Sequence, residues 1–240
     1  MLGINRLGKM LRLFIPALLL SGLIFGQAAS KSDAVGVITD LAGKVSVRDK
    51  YAKRNPAEMG GGVALGDMIG TGDKARAEIS MADNSVFRVS ANSKLVIDRF
   101  IIGDTNDREL KARFIDGAFQ YISRRNYARD DTQIGFGRAL IGIRGTNFVG
   151  LSGKKNQLVL LSGAIDVNLG EALVTMNRPN QSLIFTKAGA AESLTILSAA
   201  EIEALGDRLG WPLVPEAAES PSADLSCRNP RLINNIRVCD

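Results

Sequence analysis

Ala75-Arg76-Ala77-Glu78-Ile79-Ser80-Met81 sends Ala75, Ala77, Ile79 and Met81 to one side of an extended chain and Arg76, Glu78 and Ser80 to the other. A strand with one buried face requires that period of two, because successive side chains on a pleated backbone point in opposite directions. Asp83-Asn84-Ser85 then supplies turn residues, and Val86-Phe87-Arg88-Val89 runs back. The stretch is a hairpin. Outward from it, residues 35–195 keep the same grammar: short apolar alternations, broken by Gly, Asn or Asp roughly every eight to twelve residues, with little helical periodicity. This reads as an all-β sandwich, barrel or solenoid, and a sandwich or flattened solenoid of short strands is the expectation.

Three segments share one chemistry: Leu41-Ala42-Gly43-Lys44-Val45-Ser46-Val47, Ile115-Asp116-Gly117-Ala118-Phe119-Gln120-Tyr121 and Leu161-Ser162-Gly163-Ala164-Ile165-Asp166-Val167. Each sets a glycine just ahead of an alternating strand, where a positive φ or a bulge is cheap. Their unequal intervals exclude a fixed-period array.

The ends read differently. Arg6, Lys9 and Arg12 precede an apolar run from Leu13 to Phe25 and small residues through Ser30, the layout of a secretory signal peptide. Cutting after Ala28 or after Ser30 suits the small-residue rule equally, and 1–28 is taken as the signal. The run is shorter than the roughly 20 apolar residues a spanning helix needs and contains Pro16, so no lasting membrane anchor is expected. Past Thr195, Ser198 with Glu201 three residues on forms a capping box, and Ile202, Leu205 and Leu209 make a helical stripe ending at Gly210. A helix is expected within 196–211, a Pro/Ala/Ser/Glu linker over 212–226, and a tail over 227–240. Cys227 and Cys239 are read as a disulfide closing that tail, since an exported chain meets an oxidising compartment.

The whole chain carries a net charge of +5, but the expected signal removes three basic residues and leaves about +2. No basic face with interleaved aromatics stands out, so nucleic acid is not an expected partner. The chain contains no histidine. Ser-His-Asp and Cys-His sites, a histidine general base and a His-bearing zinc centre are therefore excluded. One enzyme motif matches formally: Ser152-Gly153-Lys154-Lys155 is S-x-x-K, with Lys187-Ala188-Gly189 as a loose companion. That chemistry needs the serine at the start of a helix, and here the segment lies between strand-like runs where it reads as a polar turn. Gly103 to Glu109 offers oxygen ligands without EF-hand spacing and reads as a hairpin tip. No cofactor, metal site or catalytic residue is expected.

Three further stretches together resemble the FecR domain, a periplasmic β module named for a regulator of ferric-citrate uptake. Gly66-Asp67-Met68-Ile69-Gly70-Thr71-Gly72 is similar to the family's G-D-x-I-x-T-G segment. Ala75 to Leu95 follows its A-x-L, D-G-S, N-S-x-L order, with Asn84 where the family has glycine. Ile143-Arg144-Gly145-Thr146-Asn147-Phe148 is close to V-R-G-T-x-F, and Leu161-Ser162-Gly163 to its next strand entry, without the acid. The resemblance spans roughly residues 35–170. Gly66, Asp67, Gly72, Asp83, Arg144, Gly145, Thr146 and Phe148 are the motif residues it singles out, as structural positions. Arg144 lies among apolar residues; if buried it needs a partner, for which Asp67 and Asp83 are candidates.

The family's sigma-factor regulators place a cytoplasmic region and a membrane-spanning helix ahead of the domain, where this chain has only a signal-like segment. The expectation is therefore an exported, periplasmic or secreted, non-enzymatic module that binds or scaffolds an envelope protein or a cell-wall glycan, with strand edges as the natural contact. A regulatory relay for an outer-membrane uptake or secretion system is the alternative, and a serine enzyme at Ser152 the weakest.

Overall fold

A computed structural model of the chain describes residues 33–103, 107–123 and 129–213, together with the backbone of two strands at residues 230–233 and 236–239. In order these form β1 (Ala34–Ala42), β2 (Val45–Arg48), β3 (Arg54–Pro56), β4 (Gly62–Ala64), β5 (Met68–Thr71), β6 (Arg76–Met81), β7 (Val86–Val89), β8 (Lys94–Ile102) and β9 (Asp107–Asp116). Then follow β10 (Ala118–Ile122), β11 (Arg129–Phe136), β12 (Ala139–Leu151), β13 (Asn156–Asn168), β14 (Leu173–Met176), β15 (Gln181–Phe185), β16 (Ala191–Ile196), α1 (Ala199–Leu209), β17 (Pro230–Ile233) and β18 (Ile236–Cys239). The all-β reading with a C-terminal helix holds. The sandwich or solenoid does not: the strands hydrogen-bond into one sheet, which curls into a half-barrel.

The spine of that sheet is the long antiparallel pair β12–β13. Residues 139–142 of β12 pair with β11, and through it with β9, β8, β5, β2 and β3. Residues 147–151 pair instead with β10, and through it with β7, β6, β1 and β4. Two arms thus leave the two halves of one strand and close over a common core. The register of β12–β13 shifts between Arg144 and Phe148, where the arms part. Gly145 (φ +50) and Gly163 (φ +84) make this break possible. A Cβ on Gly163 would stand 2.0 Å from the Gly145 carbonyl oxygen, closer than any side chain permits. Thr146 Oγ1 donates to the carbonyls of Ala164 (2.8 Å) and Arg144 (3.0 Å) and pins the bulge.

The bulge reverses which residues face inward. Ile141, Ile143, Ile165 and Val167 point into the main core on one side of it; Phe148, Leu158 and Leu160 do so on the other. Val149, Leu151, Val159 and Leu161 are thereby turned to the outer face. There α1 covers them with Ile202, Leu205 and Leu209, and Trp211 completes a second, smaller core. Ser198 caps the helix: its hydroxyl accepts from the Glu201 N–H, and the Glu201 carboxylate accepts from the Ser198 N–H (2.8 Å). That backbone bond, then the one from the Ser198 hydroxyl, holds the Glu201 carboxyl below its usual range. Gly210 ends the helix in the left-handed conformation at φ +71.

Cross-strand register builds the main core. Phe87 lies opposite Tyr121, which lies opposite Phe148. Phe114 stacks on Phe119 at 3.6 Å, and Phe119 meets Phe136 and Phe148 edge-on. The glycines of the three similar segments all take positive φ: Gly43 at +73, Gly117 at +91 and Gly163 at +84.

The expected signal peptide, most of the 212–226 linker and Cys227 lie outside the described residues, and Cys239 is described in its backbone alone. The proposed disulfide therefore lies outside them too. What the tail does contribute is a hairpin, β17–β18, whose second strand pairs with β14 at Leu173 and Val174.

Candidate functional site

Most of the motif residues brace turns. Gly66 (φ +80) opens the turn into β5, and Asp67, buried behind it, accepts the Ala64 N–H at 2.8 Å through Oδ2. Gly72 donates its N–H to the Lys44 carbonyl (2.8 Å), in a space where Lys44 Cβ would lie 3.3 Å from an added Cβ. Asp83 closes the β6–β7 hairpin: its Oδ1 accepts the Ser85 N–H (2.9 Å) and hydroxyl (2.6 Å). Asn84 occupies the left-handed position there at φ +66, which asparagine tolerates better than most residues.

Arg144 and Asp83 are not partners. Arg144 is exposed, its side chain thrown outward at the bulge, and it has no ion pair among the described residues. Asp83 is paired instead with Arg108 of β9, and both side chains are fully buried. Asp67 is held by backbone and not by Arg144. Arg108 was concealed in the charged run Asp104 to Glu109, which reads as a solvated tip. The signal that identifies it is parity: counting back from Phe114 through Ala112 and Leu110, all buried, Arg108 falls on the inward face. The pair joins the β6–β7 turn to the start of β9, so it ties one arm of the half-barrel to the other.

A polar ladder crosses the outer face beside α1. Thr39 Oγ1 donates to Glu78 (2.9 Å), Arg88 Nε donates to the same carboxylate (2.9 Å), Arg88 Nη1 donates to Gln120 (3.2 Å), and Gln120 Nε2 donates to Asn147 (2.9 Å). The ring of Trp211 lies against the guanidinium groups of Arg76 (4.9 Å) and Arg88 (5.0 Å). Cation–π contact therefore couples the helix end to the ladder.

The S-x-x-K serine meets a different lysine. Lys155 pairs with Glu192, while Lys187 Nζ donates to Ser152 Oγ (2.7 Å) and Asn156 Oδ1 (2.9 Å). Ser152 sits in the β12–β13 turn, not at a helix start, and Lys187 is exposed. A lysine that activates a serine works from a desolvated pocket. This one links two hairpins in water.

The sheet leaves a conspicuous free edge. The last four residues of β8, Arg99-Phe100-Ile101-Ile102, which follow a bulge at Asp98, pair with β9 on one side and with no strand on the other among the described residues. Ile101 is 45% and Ile102 44% exposed. Their charged neighbours are engaged within the sheet: Asp98 with Arg113, and Arg99 with Glu109. The Arg99 and Lys111 hydrogen bonds hold the Glu109 carboxyl below its usual range, and the Asp98 bond raises Arg113. Edges are ordinarily guarded by proline, by free charge or by a bulge. Edge strand β3 has the first two in Arg54 and Pro56, whereas β8 has only a bulge at Asp98, which leaves Phe100–Ile102 beyond it without proline or free charge.

Among the described residues no cluster of three or more Cys, Asp or Glu is placed to hold a metal ion, and no helix is long and apolar enough to cross a membrane.

Residues 67–166 match the family described as FecR protein. No curated protein matches the chain. Two crystal structures, each described as "a putative anti-sigma factor" from Parabacteroides distasonis ATCC 8503, are similar over 56% and 57% of this chain, at 14% and 13% identity and TM-scores of 0.47. The alignments take in 62% and 63% of those chains, so this chain spans less than two thirds of their length. A solved "cell surface anchoring domain" is similar over 25% of this chain and 80% of its own, at 24% identity and a TM-score of 0.25. The matched segment, which is similar to the FecR family over 100 of the 240 residues, holds Asp67, the Asp83–Arg108 pair, the free edge of β8 and the Arg144 bulge.

Proposed function

We propose that this chain is a regulatory FecR-domain protein of the cell envelope. It relays a signal for an outer-membrane uptake or secretion system by holding an extended segment of a protein partner along the free edge of β8. The relay is non-enzymatic and takes place after export. The family's regulatory role supports the first part. The single observation that carries the mode of action is the free apolar edge at Phe100–Ile102, inside the matched segment. An added strand would satisfy the backbone groups of that edge and cover Ile101 and Ile102. A glycan would use neither, which ranks it below a protein partner.

The test is capture from an envelope extract by the exported form, alongside Ile101→Lys/Ile102→Lys. The expected result is a component of an uptake or secretion system held by the parent protein and absent from the variant. Undiminished capture by the variant, or capture of glycan alone, would overturn the proposal. Covalent labelling of Ser152 by a fluorophosphonate or a β-lactam would overturn its non-enzymatic part.

A further inference from the structure

A groove of about 420 Å³ runs along α1, lined by Asn180, Ala199, Ile202, Glu203, Gly206, Asp207, Pro212 and Leu213. The helix residues 199, 202, 203, 206 and 207 form one stripe two turns long, about 12 Å at the usual rise, enough to seat three or four residues of an extended chain. Its floor is apolar. Its rim carries the Glu203 and Asp207 carboxylates, with Asn180 beside them, whose Oδ1 is buried and accepts no hydrogen bond among the described residues.

Each of these acceptors stands at a cost to the fold. Asn180 is fixed by its backbone, its N–H donating to Leu160 (2.7 Å) and its carbonyl accepting from Leu197 (2.9 Å), at φ +63. Its side-chain oxygen is thereby held at the groove, open to a donor that enters it. Glu203 and Asp207 are like charges at i and i+4, neither with an ion pair among the described residues. Asp207 also lies in the last helical turn, where the helix dipole disfavours an acid. Neighbouring Arg208 is one position along the helix and does not face it.

An apolar floor whose charged rim groups, Glu203 and Asp207, are both carboxylates fits a cationic side chain whose aliphatic stem lies on the floor while its N–H groups meet the rim. We infer that this groove is a second docking site, taking an arginine-bearing segment of a protein partner. Residues 214–227 contain Glu216, Glu219 and Asp224 and no basic residue, so the first basic residue of this chain past the groove is Arg228; peptide binding that appears only in an Arg228→Ala variant would make the chain's own tail the occupant and overturn the partner. The site lies outside residues 67–166 and does not depend on the β8 edge.

Titration of the intact exported protein with a Gly/Ser peptide centred on Leu-Arg-Leu, followed by amide NMR, tests the inference. Saturable shifts are expected at Asn180, including its side-chain amide, and at Gly206 and Leu213. Replacing the peptide's arginine by neutral citrulline, or the protein's rim by Glu203→Gln/Asp207→Asn, should each weaken binding roughly tenfold, as two partly exposed ion pairs would. Both rim positions are exposed, so the variant keeps its fold, and an unchanged thermal midpoint checks this. Equal binding of the arginine and citrulline peptides, undiminished binding by the variant, or shifts lying elsewhere would each overturn the site.

Discussion

Asp83 and Arg108 show what a single residue can conceal. Both are charged, both side chains are fully buried, and each is the other's compensation for lost water. Removing one member of such a pair leaves an uncompensated charge in the core and costs about 3–5 kcal/mol. Asp83→Ala and Arg108→Ala should each fall in that range by urea denaturation, and the double variant should lose less than their sum, because the second removal also abolishes the orphaned charge. Strict additivity would mean that the two do not act as a pair. Arg144→Ala, by contrast, should change stability by no more than about 0.5 kcal/mol, as for other exposed side chains. From the sequence the ranking runs the other way. Arg144 stands among isoleucines and looks buried, whereas Arg108 stands among Asp and Glu and looks wet. Neighbours in sequence mislead here because burial follows strand parity, and a bulge beside Arg144 resets the parity. Asp83 was legible as a turn residue, and its hydrogen bonds to Ser85 are the reason.

Elements differ in how far local chemistry dictates them. The ends of α1 are written in Ser198, Glu201 and Gly210, since a cap is an interaction within one turn. The β6–β7 hairpin is written in its alternation and in Asp83-Asn84-Ser85. The β12–β13 bulge is only half visible: Gly163 marks a place where positive φ is cheap, but its contact with Gly145 joins residues far apart in the chain. Gly163→Ala should therefore cost about 3 kcal/mol or more, combining the overpacking of a Cβ against the Gly145 carbonyl with left-handed strain. Gly170, at φ +95 with nothing within 4 Å of an added Cβ, is the control, and its Ala variant should cost only the backbone strain, about 1–2 kcal/mol. Equal losses at the two positions, measured by denaturation, would show that the close approach is not what holds the bulge.

At the scale of the whole molecule the sequence is quietest, because nothing local records that β9 and β11 pair in parallel or that two arms share one spine. Those pairings follow from where apolar faces meet once β12 has divided. The result is two cores of unequal size on opposite sides of one sheet: the half-barrel interior, and the patch beneath α1 and Trp211. They share β12 and β13 but few side chains, so the smaller should open without the larger. Trp211 tests this, since it is buried in the second core and stacked on two arginines of the arm that leaves through β10. Trp211→Ala should cost about 3–5 kcal/mol locally. Native-state hydrogen exchange should then speed up in α1 and in the outer half of the spine, at Val149, Leu151, Val159 and Leu161, while amides of Ile79, Phe87 and Leu95 keep the protection of global unfolding. Acceleration spread evenly over both groups would make the two cores one cooperative unit. In that case α1 would belong to the half-barrel and could not move independently when a partner enters its groove.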